Sequence, residues 1–277
     1  MILIADSGST KTTWSIIDDG KEFLRFSTEG YNPYFVSNEY IVNSIKHSID
    51  RKITKMKFKT IHFYGAGCDG VQANIVAEAL KQIFDKAEVL VHLDLLAAAR
   101  GVLGRESGFV AILGTGTNTC LYNGEEITHN IDSLGFILGD EGSGAYLGKK
   151  VLSDYLRENM PVAVKQRFEQ SYQTSSQEII QNIYKLPLAN RYCATYSRFL
   201  HSDCAYSVSV LKTAFRKFFS DLVVLYPGYE QYKFNCIGSV GFVFKSILKE
   251  VAQEFGIKVG KVLKSPIDGL IEYHRGY

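Results

Sequence analysis

Short apolar runs set off by turn residues dominate the start of the chain. Residues 2–5 are apolar and end at Asp6. A Ser7-Gly8-Ser9-Thr10 turn follows, residues 12–17 resume the apolar pattern, and Asp19-Gly20 marks a hairpin before residues 21–26. Runs this short, bounded by Gly, Ser and Asp, predict three strands in a meander. The period then changes. Ile41, Val42, Ile45 and Ile49 recur at helical spacing within residues 37–51, and Ile75, Val76, Ala79, Leu80 and Ile83 do so within residues 71–84. Strands are predicted at 60–64 and 88–93, with a helix opening at Leu95. The order βββαβαβα implies a mostly parallel sheet flanked by helices.

The opening pattern then returns. An apolar run at 108–113 leads into Gly114-Thr115-Gly116-Thr117, residues 118–122 read as a strand, Asn123-Gly124 as a hairpin turn, and residues 125–129 as a third strand. Laid on the start of the chain, Gly8 falls on Gly116 and Ser9 on Thr117. Self-similarity of this kind predicts a duplicated domain, with units 1–105 and 106–277. The second unit is expected to continue with a helix at 205–225, a strand at 232–237, a helix at 241–255 and a strand at 258–263.

Composition narrows the function classes. The chain has 277 residues, 46% hydrophobic and 22% charged, with a net charge of +2. That supports a sizeable core and gives no basic excess for nucleic acid. Five cysteines without a Cys-x-x-Cys pair suit reduced thiols rather than a disulfide framework. His92 and Asp94 share a strand face, but two ligands are too few for zinc. No leader-like segment precedes the first strand, and no apolar run reaches the ~20 residues of a membrane span. The expectation is a cytoplasmic protein with no membrane or nucleic-acid partner.

The two turns carry the candidate chemistry. Ser7-Gly8-Ser9-Thr10-Lys11 lacks the Gly-x-x-x-x-Gly-Lys spacing of a P-loop. A turn of Gly, Ser and Thr nevertheless exposes backbone N–H groups that form an anion-binding concavity. Such a turn can equally be just a hairpin. Two of them, at matched positions of a repeat, point to adjacent phosphates held in a cleft between domains. Asp6 sits where Mg²⁺ would meet those phosphates, and Lys11 can neutralise their charge. Asp94 ends a strand and can serve as a general base or as a helix N-cap. Asp140 could likewise be only an N-cap. Asn32 stands in an Asn-Pro dipeptide, itself a common turn. Ser239, after Gly238, could cap a helix. Tyr31, Tyr34 and Phe35 could be core or sugar-stacking residues, and read better as core.

Asp6-Ser-Gly-Ser-Thr-Lys-Thr, Gly114-Thr-Gly-Thr-Asn and Gly238-Ser-Val-Gly resemble the first phosphate, second phosphate and adenosine motifs of the actin–hexokinase–Hsp70 superfamily. Ser133-Leu-Gly-Phe-Ile-Leu-Gly-Asp-Glu-Gly-Ser-Gly-Ala-Tyr resembles the N-acetylglucosamine kinases, which share a domain family with the BadF/BadG-type ATPases. Ser7 and Ser9 depart from the pattern, since relatives often carry glycines there. The resemblance implies an α/β fold of two actin-like, ribonuclease H-like domains, each a mixed sheet with flanking helices, around a nucleotide and substrate cleft. It implies ATP and Mg²⁺ as cofactors, an amino sugar as substrate, and a homodimer by family habit. Asp94 matches the family's catalytic Asp. Asp6, Gly8, Ser9, Thr10, Lys11, Gly114, Thr115, Gly116, Thr117, Gly238 and Ser239 match nucleotide-binding positions, with Asp6 also toward the metal. Asn32, Leu134, Gly135 and Asp140 match sugar-binding positions, and residues 265–269 would close the adenine pocket. The other readings are an ATPase activator of a radical dehydratase and a non-catalytic sugar or nucleotide sensor.

Overall fold

The structure, a computed structural model, describes residues 1–275. The chain divides into two compact units. The first comprises Met1–Ser107, Tyr122–Ile127 and the stretch from Ser265 onward; the second comprises Gly108–Leu121 and Thr128–Lys264.

The strands of the first unit are β1 (Ile2–Ser7), β2 (Lys11–Asp18), β3 (Lys21–Glu29), β4 (Thr60–Gly65) and β5 (Glu88–Leu93). They lie in the order β3-β2-β1-β4-β5. β1–β2 and β2–β3 pair antiparallel, β1–β4 and β4–β5 parallel. The sheet is therefore mixed rather than mostly parallel, because hairpins join the first three strands and helical crossovers join the last two. Leu3, Ile4 and Ala5 are all fully buried, as expected of a central strand covered on both faces. Leu3 and Ala5 join a cluster with Trp14, Ile41, Ile45, Val76 and Leu80. Ile4 joins the opposite cluster with Tyr64, Ala97, Ile267, Leu270 and Ile271.

Local chemistry sets the helix ends. The stretch 37–51 forms two helices, Asn38–Ser48 capped by Ser37 and Arg51–Thr54 capped by Asp50. Gly70–Ile83 follows β4, and Asp94–Leu103 follows β5 directly. The helix Ile267–His274 packs on Asp94–Leu103. Gly101 and Gly269 permit that crossing, since a Cβ on Gly269 would sit 1.8 Å from the Gly101 carbonyl oxygen.

The second unit contains β6 (Gly108–Leu113), β7 (Thr117–Tyr122), β8 (Ile127–His129), β9 (Phe234–Ile237) and β10 (Val259–Leu263) in the order β10-β9-β6-β7-β8. This is the strand order of the first sheet again. The expected helix at 205–225 ends at Asp221, with a 3₁₀ turn over Val223–Leu225. The expected helix at 241–255 breaks at Phe244 into Ser239–Val243 and Lys245–Glu254. Its core is aromatic, built around Phe168, Phe215, Phe218, Phe219 and Phe234.

Candidate functional site

Strand ends correct the register of the repeat. β1 stops at Ser7 and β2 starts at Lys11; β6 stops at Leu113 and β7 starts at Thr117. Both connections are three residues, so Gly8 corresponds to Gly114, not Gly116.

The first turn is anchored from behind. The Ser7 hydroxyl is buried against Thr12 Oγ1 at 2.8 Å and accepts from Tyr31 N–H at 3.1 Å. Gly8 N–H donates to Lys11 O at 3.0 Å. Among the described residues, the backbone N–H groups of Ser9 and Thr10 and the side chains of Ser9, Thr10 and Lys11 make no hydrogen bond or ion pair. Thr10 and Lys11 are exposed. These donors are free to meet an anion.

Two carboxylates stand beside this turn. Asp6 is the penultimate residue of β1, and Asp94 is the first residue of its helix, with Leu93 in the cap position. The N-cap alternative for Asp94 is thus not realised. Its carboxylate accepts from the N–H groups of Leu95 and of itself, which opposes the effect of burial. Burial wins and raises its pKa to about 6. Burial and the nearby Asp94 charge push Asp6 to about 7, against a hydrogen bond from Ser265 Oγ at 3.3 Å. Two acids that burden each other need a cation or a proton. Mg²⁺ fits this donor set, being held by one or two carboxylates together with substrate phosphates. In the stretch 265–269, expected to close an adenine pocket, Ser265 donates to Asp6 and Gly269 lies against Gly101.

The second turn is built differently. Thr117 N–H donates to Asp140 Oδ1 at 3.0 Å, and Thr117 Oγ1 donates to Glu141 O at 2.8 Å. Both polar groups of Thr117 are therefore committed to the fold. Gly114 N–H donates to Gly116 O, and Gly114 O and Thr115 O accept from Gly144 and Ala145 N–H. The N–H groups of Thr115 and Gly116 have no partner among the described residues. A Cβ on Gly116 would press on the Asp140 carboxylate at 3.1 Å. Asp140 is 7% exposed, and burial raises its pKa. It is not an N-cap: Ser143 caps the helix Gly144–Leu156.

Gly238 closes over this turn. Its φ is +125°, and a Cβ would meet Leu113 O at 2.3 Å, so only glycine fits. Ser239 is inside the helix that Gly238 caps, not its cap. Leu134 and Gly135 are both left-handed, φ 59° and 66°, and Leu134 is exposed. Asn32 realises the turn alternative, its Oδ1 accepting from Tyr34 N–H at 3.0 Å. Of the aromatics expected in the core, Tyr31 is fully buried, but Tyr34 and Phe35 are exposed.

The structure thus gathers Asp6, Asp94, Ser265 and the first turn in one unit. It gathers the second turn, Asp140 and Gly238 in the other. The Ser265–Asp6 contact and the use of the Glu141 carbonyl were not anticipated, since both are contacts distant in sequence.

Known proteins share this fold. A protein from Porphyromonas gingivalis, solved under an assignment as an N-acetylglucosamine kinase, is 38% identical over 100% of this chain and 99% of its own, with a TM-score of 0.95. The N-acetyl-D-glucosamine kinase of Dictyostelium discoideum is 24% identical over 58% of this chain, a match spanning only 55% of that protein. A ROK family glucokinase from Streptomyces griseus, solved with glucose and AMPPNP, shares the fold at 13% identity over 98% of this chain and 97% of its own (TM-score 0.59). The profile of the BadF/BadG/BcrA/BcrD ATPase family matches residues 5–207, and the chain belongs to that family.

Proposed function

We propose that the chain is an ATP-dependent kinase that phosphorylates an amino sugar, N-acetylglucosamine foremost, at its 6-hydroxyl. The observation that carries this reading is the pair Asp6 and Asp94 beside a turn with unused N–H donors. The near full-length similarity to the Porphyromonas gingivalis protein supports the choice of sugar.

In this reading Asp94 accepts the proton of the attacking hydroxyl as the oxygen bonds to the γ-phosphorus and ADP leaves. A base near its folded-state pKa of about 6 is largely ionised at neutral pH. Asp6 would hold Mg²⁺, which when bound supplies charge neutralisation on the phosphates. The N–H groups of Ser9 and Thr10, the Lys11 ammonium and the N–H groups of Thr115 and Gly116 bind phosphate oxygens. Gly238 admits the nucleoside close to the backbone. Asp140 has one oxygen on Thr117 N–H, so it supports the turn as well as any sugar it meets.

Coupled ADP release with Mg-ATP against a panel of amino sugars tests this. Sugar-dependent turnover that drops ~10²-fold or more in Asp94→Asn supports the kinase. ADP release at full rate without sugar would instead assign a plain ATPase. Iron in anaerobically purified protein would favour the dehydratase activator. Tight sugar binding without turnover would favour the sensor.

A further inference from the structure

The first unit holds a second feature of chemical interest, at the other end of its strands. A cavity of about 760 Å³ opens where one face of β4 and β5 meets the helix Ile267–His274. Alternation along the strands turns Thr60 and His62, and Glu88, Leu90 and His92, to this face.

Its inner wall is a stack of imidazoles. His62 lies 5.9 Å from His92 and 4.0 Å from His274, centroid to centroid, and His92 lies 4.8 Å from the Tyr64 ring. Burial, with the charge of Arg100, lowers the pKa of His62 and His92 to about 4, so both rings are neutral in the empty cavity. Tyr64 Oη meets His274 Nε2 at 2.9 Å and receives Arg100 Nη1 at 2.9 Å.

Arg100 is the unusual member. It is half-buried, yet among the described residues no carboxylate lies within ion-pairing distance. Its other partners are the Glu125 carbonyl oxygen at 3.4 Å and the faces of Tyr64 and Tyr273. Its Nε is buried with no hydrogen-bond partner, and the same holds for His62 Nδ1 and His92 Nε2. Leaving buried nitrogens unpaired is costly. The acids lining the cavity, Asp19 and Glu88, are exposed, and so is Lys59.

A half-buried guanidinium with no carboxylate partner among the described residues, sharing a cavity with two neutral imidazoles that can each donate as the N–H tautomer, suits an anion. Donors on separate elements suit a tetrahedral oxyanion better than a planar carboxylate. We propose that this cavity binds a small phosphate-bearing anion, held by the Arg100, His62 and His92 side chains that line it. Free phosphate and a phosphomonoester share this chemistry, and the volume has room for a sugar-sized group. The cavity opens at the Thr60 and Glu88 ends of β4 and β5, while His92 comes two residues before Asp94 in the chain; the proposal does not depend on the kinase reading.

Inorganic phosphate and glucose 6-phosphate are the probes, followed by proton NMR of the imidazole signals on the intact protein. His62→Gln and His92→Asn assign the signals. Phosphate should shift the His62 and His92 signals saturably, leaving His47, His129 and His201 in place. The double variant should weaken that binding ~10-fold or more, while Lys11→Ala, on the first turn, leaves it unchanged. Tighter binding of glucose 6-phosphate would identify a phosphomonoester site; equal binding, a phosphate site. Unmoved His62 and His92 signals at ~10 mM of both probes would overturn the proposal. So would equal shifts with sodium acetate at matched ionic strength. The wild-type titration decides the matter even if the double variant does not fold.

Discussion

The two units repeat one strand order and one three-residue turn, yet they differ at the positions that could do chemistry. The penultimate residue of β1 is Asp6, while that of β6 is Ile112. The residue after β5 is Asp94, while the residue after β10 is Lys264. Among the described residues, each turn leaves two N–H groups unpaired, at Ser9 and Thr10 and at Thr115 and Gly116. What the fold repeats is backbone, and backbone amides serve any phosphate. At these matched strand-end positions the carboxylates, Asp6 and Asp94, occur in the first unit only. The copies differ in support as well: the first turn rests on the hydroxyls of Ser7 and Thr12, the second on the Asp140 carboxylate. A shared fold therefore predicts anion binding in both units and acid–base chemistry in the first alone.

The largest effect that could break this contrast is the loss of the base. Asp94→Asn should lower kcat by ~10²-fold or more with little change in the KM for sugar, measured by coupled ADP release. Equal losses in Asp94→Asn and Lys264→Ala would show that the copies are not divided as described. Next comes Gly238→Ala. Left-handed backbone and the Leu113 carbonyl together should cost the second unit ~2–4 kcal/mol, seen as a lower urea midpoint.

A smaller effect runs the other way. Asp94 is raised to about 6 in the folded chain, so folding favours its protonated form. The stability it contributes is full at low pH and is lost as pH rises through about 6. Asp94→Asn should therefore raise Tm above about pH 7 by ~2 °C and leave it unchanged near pH 4. A variant that gains stability as it loses activity would mark the acid as placed for chemistry. The smallest effect is that of Ser265→Ala. Loss of its hydrogen bond should raise the Asp6 pKa further and weaken Mg²⁺ activation below about pH 7, by ~3-fold or less. The KM for Mg²⁺ as a function of pH measures it.

Much of this scaffold is legible in sequence, because short apolar runs and turn residues are local signals. All five strands of the first unit and the repeat in the second can be read that way. The register of the repeat cannot, since Gly-Thr-Gly-Thr offers two glycines and only the strand ends choose between them. The role of Asp140 is hidden for another reason: it sits in a loop, and its partner, Thr117, starts β7 far earlier in the chain. Tyr34 and Phe35 look like core by composition, but the Asx turn at Asn32 directs the chain so that both face outward. The helix Ile267–His274 is missed because what fixes it is the glycine contact with residues far earlier in the chain.

That late helix also bears on synthesis. Ile4 in the first strand is buried against Ile267, Leu270 and Ile271, and the helix that starts with Asp94 is backed by the same segment. A ribosome delivers β1 first and its last covering residues only after the whole second unit has been made. Until then one face of the nascent sheet lacks its lid, and its apolar residues are open to chaperones and proteases. The candidate base therefore acquires its final support only after the second unit has been made, so a chain cut short before Ser265 loses that support while keeping the residue itself.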